Sequence, residues 1–143
     1  MTEPNPEAVA RLERIMRGEL PYPPMWETVP IALIDVGPGS VRMRTQADQR
    51  HINALGTVHG GFVATALDTA LGLTVFISID SAARHTTVDL AVKIVKRLPL
   101  DTPLLVETTL VHVSRSVGVS QGVLRDEAGT VFAHGTTTCH IRR

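Results

Sequence analysis

The chain has 143 residues with no formal net charge, 43% hydrophobic and 20% charged, which describes one globular domain with room for a core and excludes a disordered chain. A neutral balance argues against a nucleic-acid partner and is compatible with self-association. A single cysteine, Cys139, excludes an internal disulfide, and without a leader signal or an apolar run of about 20 residues the expected setting is the cytoplasm, away from membranes.

Residues 5–17 read as a short amphipathic helix. Asn5 is its cap, Pro6 suits the first turn and Gly18 can end it. Val9, Leu12, Ile15 and Met16 form the apolar stripe. Four of the twelve residues from 19 to 30 are proline, so no regular structure is expected there. The only Tyr and Trp, Tyr22 and Trp26, make this segment either a lid over a pocket or, the preferred reading, a strap that packs aromatic area on the sheet. Residues 1–29 are thus taken as an N-terminal helix and Pro-rich strap, and 30–143 as the main domain.

Strands are expected over 31–36 and 41–46, joined at Gly37-Pro38-Gly39-Ser40. Val41, Met43 and Thr45 alternate with Arg42, Arg44 and Gln46, so one face is solvated. Further strands are read over 84–95, 104–113, 117–125 and 130–141, with a turn at Asp126-Glu127-Ala128-Gly129. In the first of these, Val88, Leu90, Val92 and Ile94 are expected on one face and Thr87, Asp89, Ala91 and Lys93 on the other.

Between the two strand groups lies NALGTVHGGFVATALDTALG, residues 53–72. It reads as a loop that enters a helix ending near Ser78 to Asp80. Phe62, Val63, Ala64, Ala66, Leu67, Ala70, Leu71, Leu73, Val75 and Phe76 distribute over the whole wheel, which predicts a helix buried all round. Asp68 interrupts it. A buried carboxylate is costly unless paired, and such a group in a cleft is a functional-site candidate; the plain alternative is a carboxylate capping a neighbouring backbone group. His59-Gly60-Gly61 opens the helix, where free N–H groups and the helix dipole suit an oxyanion and glycine lets a ligand oxygen approach. The plain alternative for Gly60 is a tight turn into the helix. Gly60 and Asp68 stand about 12 Å apart along the axis at 1.5 Å per residue, so one reacting carbonyl cannot touch both. That spacing points to two antiparallel helices in a symmetric dimer with a shared site.

Asn53, His59-Gly60-Gly61, Asp68 and the strand Thr87-Val88-Asp89-Leu90 together resemble the PaaI-type hotdog-fold acyl-CoA thioesterases, over roughly residues 30 to 141. The resemblance implies an α+β hotdog fold, an antiparallel β-sheet wrapped around one long central apolar helix, here with a short N-terminal helix. It implies hydrolysis of an acyl-CoA thioester to the free acid and coenzyme A, with Asp68 as general base or nucleophile and the Gly60 N–H as oxyanion donor. Asn53 would orient the attacking water or contact the thioester, although lone loop asparagines are usually turn formers. His59 is expected to fix the loop by hydrogen bonding. Thr87 would help hold water near the carboxylate, or be an ordinary strand residue. Gly61, Phe62 and Val88 would line the substrate side. Coenzyme A carries phosphates, and Arg115 in the Ser114-Arg115-Ser116 turn is the preferred basic partner. Relatives of this type also imply a dimer, commonly assembled into a tetramer.

No separate cofactor is expected, coenzyme A being part of the substrate. The six histidines form no close pair at metal-ligand spacing, and no metal is expected. Gly-x-Ser-x-Gly and phosphate-loop patterns are absent. Enoyl-CoA hydration on the same fold pairs an aspartate with a histidine a few residues on, where this chain has Leu73. The remaining alternative is a non-catalytic acyl-CoA-binding or sensing hotdog protein. The acyl group itself is not legible.

Overall fold

The computed structural model describes residues 3–143. Helix α1 spans Pro6–Met16. The Asn5 side chain accepts from the Glu7 and Ala8 N–H groups at 3.1 and 3.3 Å, the expected cap. Asn5 also anchors the helix: its N–H donates to the Ile77 carbonyl at 2.6 Å and its Nδ2 to the Ile79 carbonyl at 2.7 Å. Ala8, Leu12 and Ile15 are buried in the same core as the sheet.

The strap contains one regular piece, contrary to expectation: a single helical turn α2, Met25–Thr28. Prolines at 23 and 24 do not prevent it, because the first turn of a helix needs no N–H donors there. Trp26 is buried, and Tyr22 packs on it with ring centroids 5.4 Å apart. The aromatic pair therefore packs as a strap would.

The strands are β1 (Ile31–Gly37), β2 (Ser40–Thr45), β3 (Arg84–Ile94), β4 (Leu104–Val113), β5 (Val117–Arg125) and β6 (Val131–Arg142), with helix α3 (Gly60–Phe76) between β2 and β3. They form one antiparallel sheet in the order β1-β2-β4-β5-β6-β3. Gly39 and Gly129 supply the positive φ that their turns require. The sheet curves around α3, which packs on β2 to β6. Leu67, Leu71, Met43, Leu104, Val106 and Leu124 fill the space between them. Sheet hydroxyls pin the helix: Thr108 Oγ1 meets Thr74 Oγ1 at 2.6 Å, and Ser120 Oγ donates to the Leu71 carbonyl at 2.9 Å. Among the described residues, no buried side-chain polar atom lacks a partner, and no helix is long and apolar enough to cross a membrane.

Two expectations fail here. Helix α3 is not covered all round. Phe62, Val63, Ala66, Leu67, Ala70, Leu71, Thr74 and Val75 are buried, while the face carrying Thr65, Asp68, Thr69 and Gly72 is half-exposed. One sheet encloses only one side of a rod. The helix also stops at Phe76, short of Ser78.

The second failure is the facing of β3. A bulge between Thr87 and Asp89 shifts its register on β6. The extra residue, Val88, turns outward at 64% exposure. Beyond a bulge the alternation of sides is reset, so Thr87 shares the α3-facing side with Leu90 and Val92, and Val88 leaves it.

Candidate functional site

The site residues sort into two groups along α3. The first is the helix opening. The loop is closed by a bridge between Ile52 and Val58. Asn53 organises it: Oδ1 accepts from the Leu55 and Thr57 N–H groups at 2.9 and 3.1 Å, and Nδ2 donates to Thr57 Oγ1 at 2.9 Å. Its amide is engaged at both ends within its own turn.

His59 is the N-cap of α3, and its Nδ1 accepts from the Gly61 N–H at 2.7 Å. A ring whose Nδ1 accepts carries its proton on Nε2. The Gly61 N–H is therefore occupied, and the Phe62 N–H bonds the His59 carbonyl at 2.9 Å. Among the described residues nothing accepts from the Gly60 N–H. The donor left open at the positive end of a 17-residue helix is the one expected for an oxyanion.

Gly61 lines a cleft of about 540 Å³ at this opening, with Thr28, Val29, Arg50, His51, Phe62 and Thr65. His51 ties the strap to it, its Nε2 donating to the Thr28 carbonyl at 3.0 Å and its Nδ1 accepting from the Asp48 N–H at 3.0 Å. Phe62 is buried beneath, its ring 4.8 Å from the His51 ring. Arg50 holds the Asp48 carboxyl well below the usual carboxylate range. Sequence reading missed Arg50, His51 and Thr65; only their nearness in the chain to His59-Gly60-Gly61 could have suggested them.

The second group lies two helical turns further on. Asp68 stands on the half-exposed face, and Thr87 Oγ1 donates to its Oδ1 at 3.1 Å. Cys139, paired across the ladder with Thr87, is fully buried, and burial pushes its thiol up. Strand β3 runs beside α3 in the opposite sense: Thr87 reaches Asp68, while a Cβ on Gly60 would lie 3.4 Å from Ile94 Cδ1.

The structure thus joins Asp68 to Thr87, and His59 to Gly61 and Phe62 around Gly60 at the helix opening, with Asn53 bonded only within the turn that precedes them, and it leaves the two groups apart within a chain. Arg115 joins neither. It is exposed in its hairpin turn, where its carbonyl accepts from Arg143 Nε at 3.2 Å. Among the described residues no cluster of three or more His, Cys, Asp or Glu could hold a metal ion.

The family profile described as Thioesterase superfamily matches residues 55–133. Acyl-coenzyme A thioesterase 13 of Homo sapiens is 24% identical over 112 residues, spanning 78% of this chain and 79% of that protein. A Halobacterium salinarum protein bearing an esterase name is 32% identical over 111 residues, 74% of this chain and 72% of that one. The crystal structure of a phenylacetic acid degradation-related protein from Ralstonia eutropha JMP134 superposes with a TM-score of 0.80 at 25% identity, covering 90% of this chain and 98% of that one. A mutant of the phenylacetic acid degradation protein PaaI from Thermus thermophilus shares the fold, with a TM-score of 0.75 at 19% identity over 82% of this chain and 98% of that one. With the profile covering more than half of the chain and the sheet wrapped around one helix, this chain belongs to the thioesterase superfamily, as a PaaI-type hotdog thioesterase that hydrolyses thioesters.

Proposed function

We propose that the protein hydrolyses an acyl-CoA thioester at a site shared by two copies, Asp68 of one chain working against the Gly60 N–H of the other. The observation that carries this reading is the separation of the two groups. Asp68, steadied by Thr87, and the open Gly60 N–H lie on one straight helix, about 12 Å apart along its axis. A thioester carbonyl spans a fraction of that distance.

A free sheet edge supports the same arrangement. Strand β3 ends the sheet and runs past both groups, with Val88 and Ile94 exposed at 64% and 48%. An unpaired edge is a template for a second strand. Two copies pairing antiparallel about a twofold axis near Leu90 and Ala91 set Thr87 opposite the partner's Ile94, and hence Asp68 near the partner's Gly60.

The chemistry follows in one of two ways. As a base, the Asp68 carboxylate takes a proton from water while the water oxygen adds to the carbonyl carbon. As a nucleophile, a carboxylate oxygen itself adds, and water later cleaves the resulting anhydride. In both, the carbonyl oxygen becomes an anion facing the Gly60 N–H, and collapse breaks the C–S bond. The departing thiolate takes up a proton, leaving coenzyme A and a carboxylic acid.

The test mixes two inactive variants. Asp68→Asn lacks the acid group and Gly60→Pro lacks the donor. In a randomly mixed dimer population of the two, a shared site restores about a quarter of the wild-type activity, since half of the dimers carry one intact site of two. No restoration after confirmed subunit exchange, or an Asp68→Asn variant as active as wild type, overturns the reading.

A further inference from the structure

We propose that His85 is a positioning residue for Asp68, packed one helical turn away in the groove between α3 and β3, where its charge state sets how well the carboxylate accepts a proton. This rests on the reading of Asp68 as the reacting carboxylate.

The placement is geometric. Gly72 is one turn after Asp68 on the same half-exposed face of α3, and His85 precedes Thr87 by two residues on the α3-facing side of β3. Thr87 bonds Asp68, and a Cβ on Gly72 would lie 3.6 Å from His85 Nε2. A Cβ there would make ordinary van der Waals contact with the ring, so the imidazole lies directly over this small residue, and a side chain longer than alanine would occupy its place. Phe76, one turn further on, packs against the ring with centroids 6.1 Å apart. Asp68–Thr87 and Gly72–His85 are thus successive rungs of one ladder. His85 then faces a cleft of about 660 Å³ between α1 and the start of β3, open to water and protons.

The charged neighbours come from four elements. Asp68 is on α3. Arg84 is next to His85 on β3, its guanidinium turned to the Ser81 and Ala83 carbonyls at 3.4 and 3.1 Å. Glu7 and Arg11 of α1 line the cleft. On β6, His140 and Arg142 pair with Thr86 and Arg84, while His85 itself pairs with the apolar Ile141. The charge that acts on the ring is that of Asp68. Burial lowers the affinity of the imidazole for a proton, and the Asp68 charge opposes that shift without cancelling it.

The consequence has a sign. A group whose folded value is lowered stays neutral until the pH falls below its ordinary range, near 6.5 for imidazole. At neutral pH His85 is therefore uncharged, and Asp68 keeps its full readiness to take a proton. As the medium becomes more acid His85 gains a positive charge beside the carboxylate, favours its ionised form, and makes proton uptake from water less favourable. Turnover therefore drops as His85 takes up its proton.

The experiment is the pH profile of kcat for wild type and His85→Asn, with His85→Gln as a second neutral replacement. The acid limb of the wild type is expected below pH 6.5 and should move to lower pH in either variant, the difference in kcat from wild type being largest in the acid range and smallest at neutral pH. A limb that stays in place in a folded variant overturns the proposal. A second measurement needs no variant at His85. The His85 ring is titrated by NMR in the full-length wild type and in Asp68→Asn. Because coupling is reciprocal, the ring midpoint should fall when the carboxylate charge is removed; an unchanged midpoint also overturns the proposal. An Asp68→Asn variant with normal turnover would instead overturn the reading beneath it, so the two failures are distinguishable.

Discussion

Gly60→Pro isolates one hydrogen atom of this protein. Proline lacks the N–H and is tolerated at the first position of a helix, where that N–H has no partner within the helix. Gly60 is that position. The residue before a proline must be extended, with ψ between about 120° and 160°, and His59 already sits at φ −63°, ψ 135°. The cap from the Gly61 N–H to His59 Nδ1, 2.7 Å long, does not involve the altered atom. A Cβ at 60 comes to 3.4 Å from Ile94 Cδ1, a contact that the end of a flexible side chain relieves. The fold should therefore change by less than about 1 kcal/mol. Catalysis should change far more. Loss of one oxyanion donor costs about 3–4 kcal/mol of transition-state stabilisation, or roughly 10²- to 10³-fold in kcat. Gly60→Ala is the control, since it adds the same Cβ and keeps the N–H. Thiol release from acyl-CoA, followed with a chromogenic disulfide beside thermal melts of all three proteins, gives the comparison. If the proline variant turns over as fast as the alanine variant with an unchanged melt, the Gly60 N–H holds no oxyanion and the proposed division of the site fails.

Two further predictions concern the frame around the site. His59→Ala removes the ring that caps α3 and should destabilise the fold by about 1 kcal/mol, read as a lower denaturant midpoint; an unchanged midpoint would mean the cap contributes nothing. Gly122→Ala places a Cβ 2.5 Å from the Glu107 carbonyl oxygen and 2.5 Å from Thr108 Cγ2, between β4 and β5. This overpacking should cost about 1–3 kcal/mol, and wild-type stability in urea would refute it.

Much of this architecture could be read before any coordinates. Asn5 as a cap, Gly39 and Gly129 as turn residues, the alternation along β2 and the His59-Gly60-Gly61 opening of α3 all depend on neighbours within a few positions. Such features are written locally, and the structure repeats them. The division between Gly60 and Asp68 was also legible, because helix rise converts a sequence interval directly into a distance.

What resisted reading depends on two segments fitting each other. The bulge at Val88 is a mismatch between β3 and β6, and no residue in β3 alone announces it. It turned Thr87 toward Asp68 and Val88 away, reversing the simple alternation. His85 was read only against metal-ligand spacing, since nothing in the chain sets a histidine at 85 beside a glycine at 72.

The sequence by itself determined where the helix opens, which carboxylate it carries and how far apart Gly60 and Asp68 stand along it, since backbone geometry and residue type act over short chain intervals. Tertiary structure alone decided which half of α3 the sheet covers and which β3 side chains meet the open half. Coverage and register belong to pairs of surfaces, and a single strand or helix does not encode its partner's position.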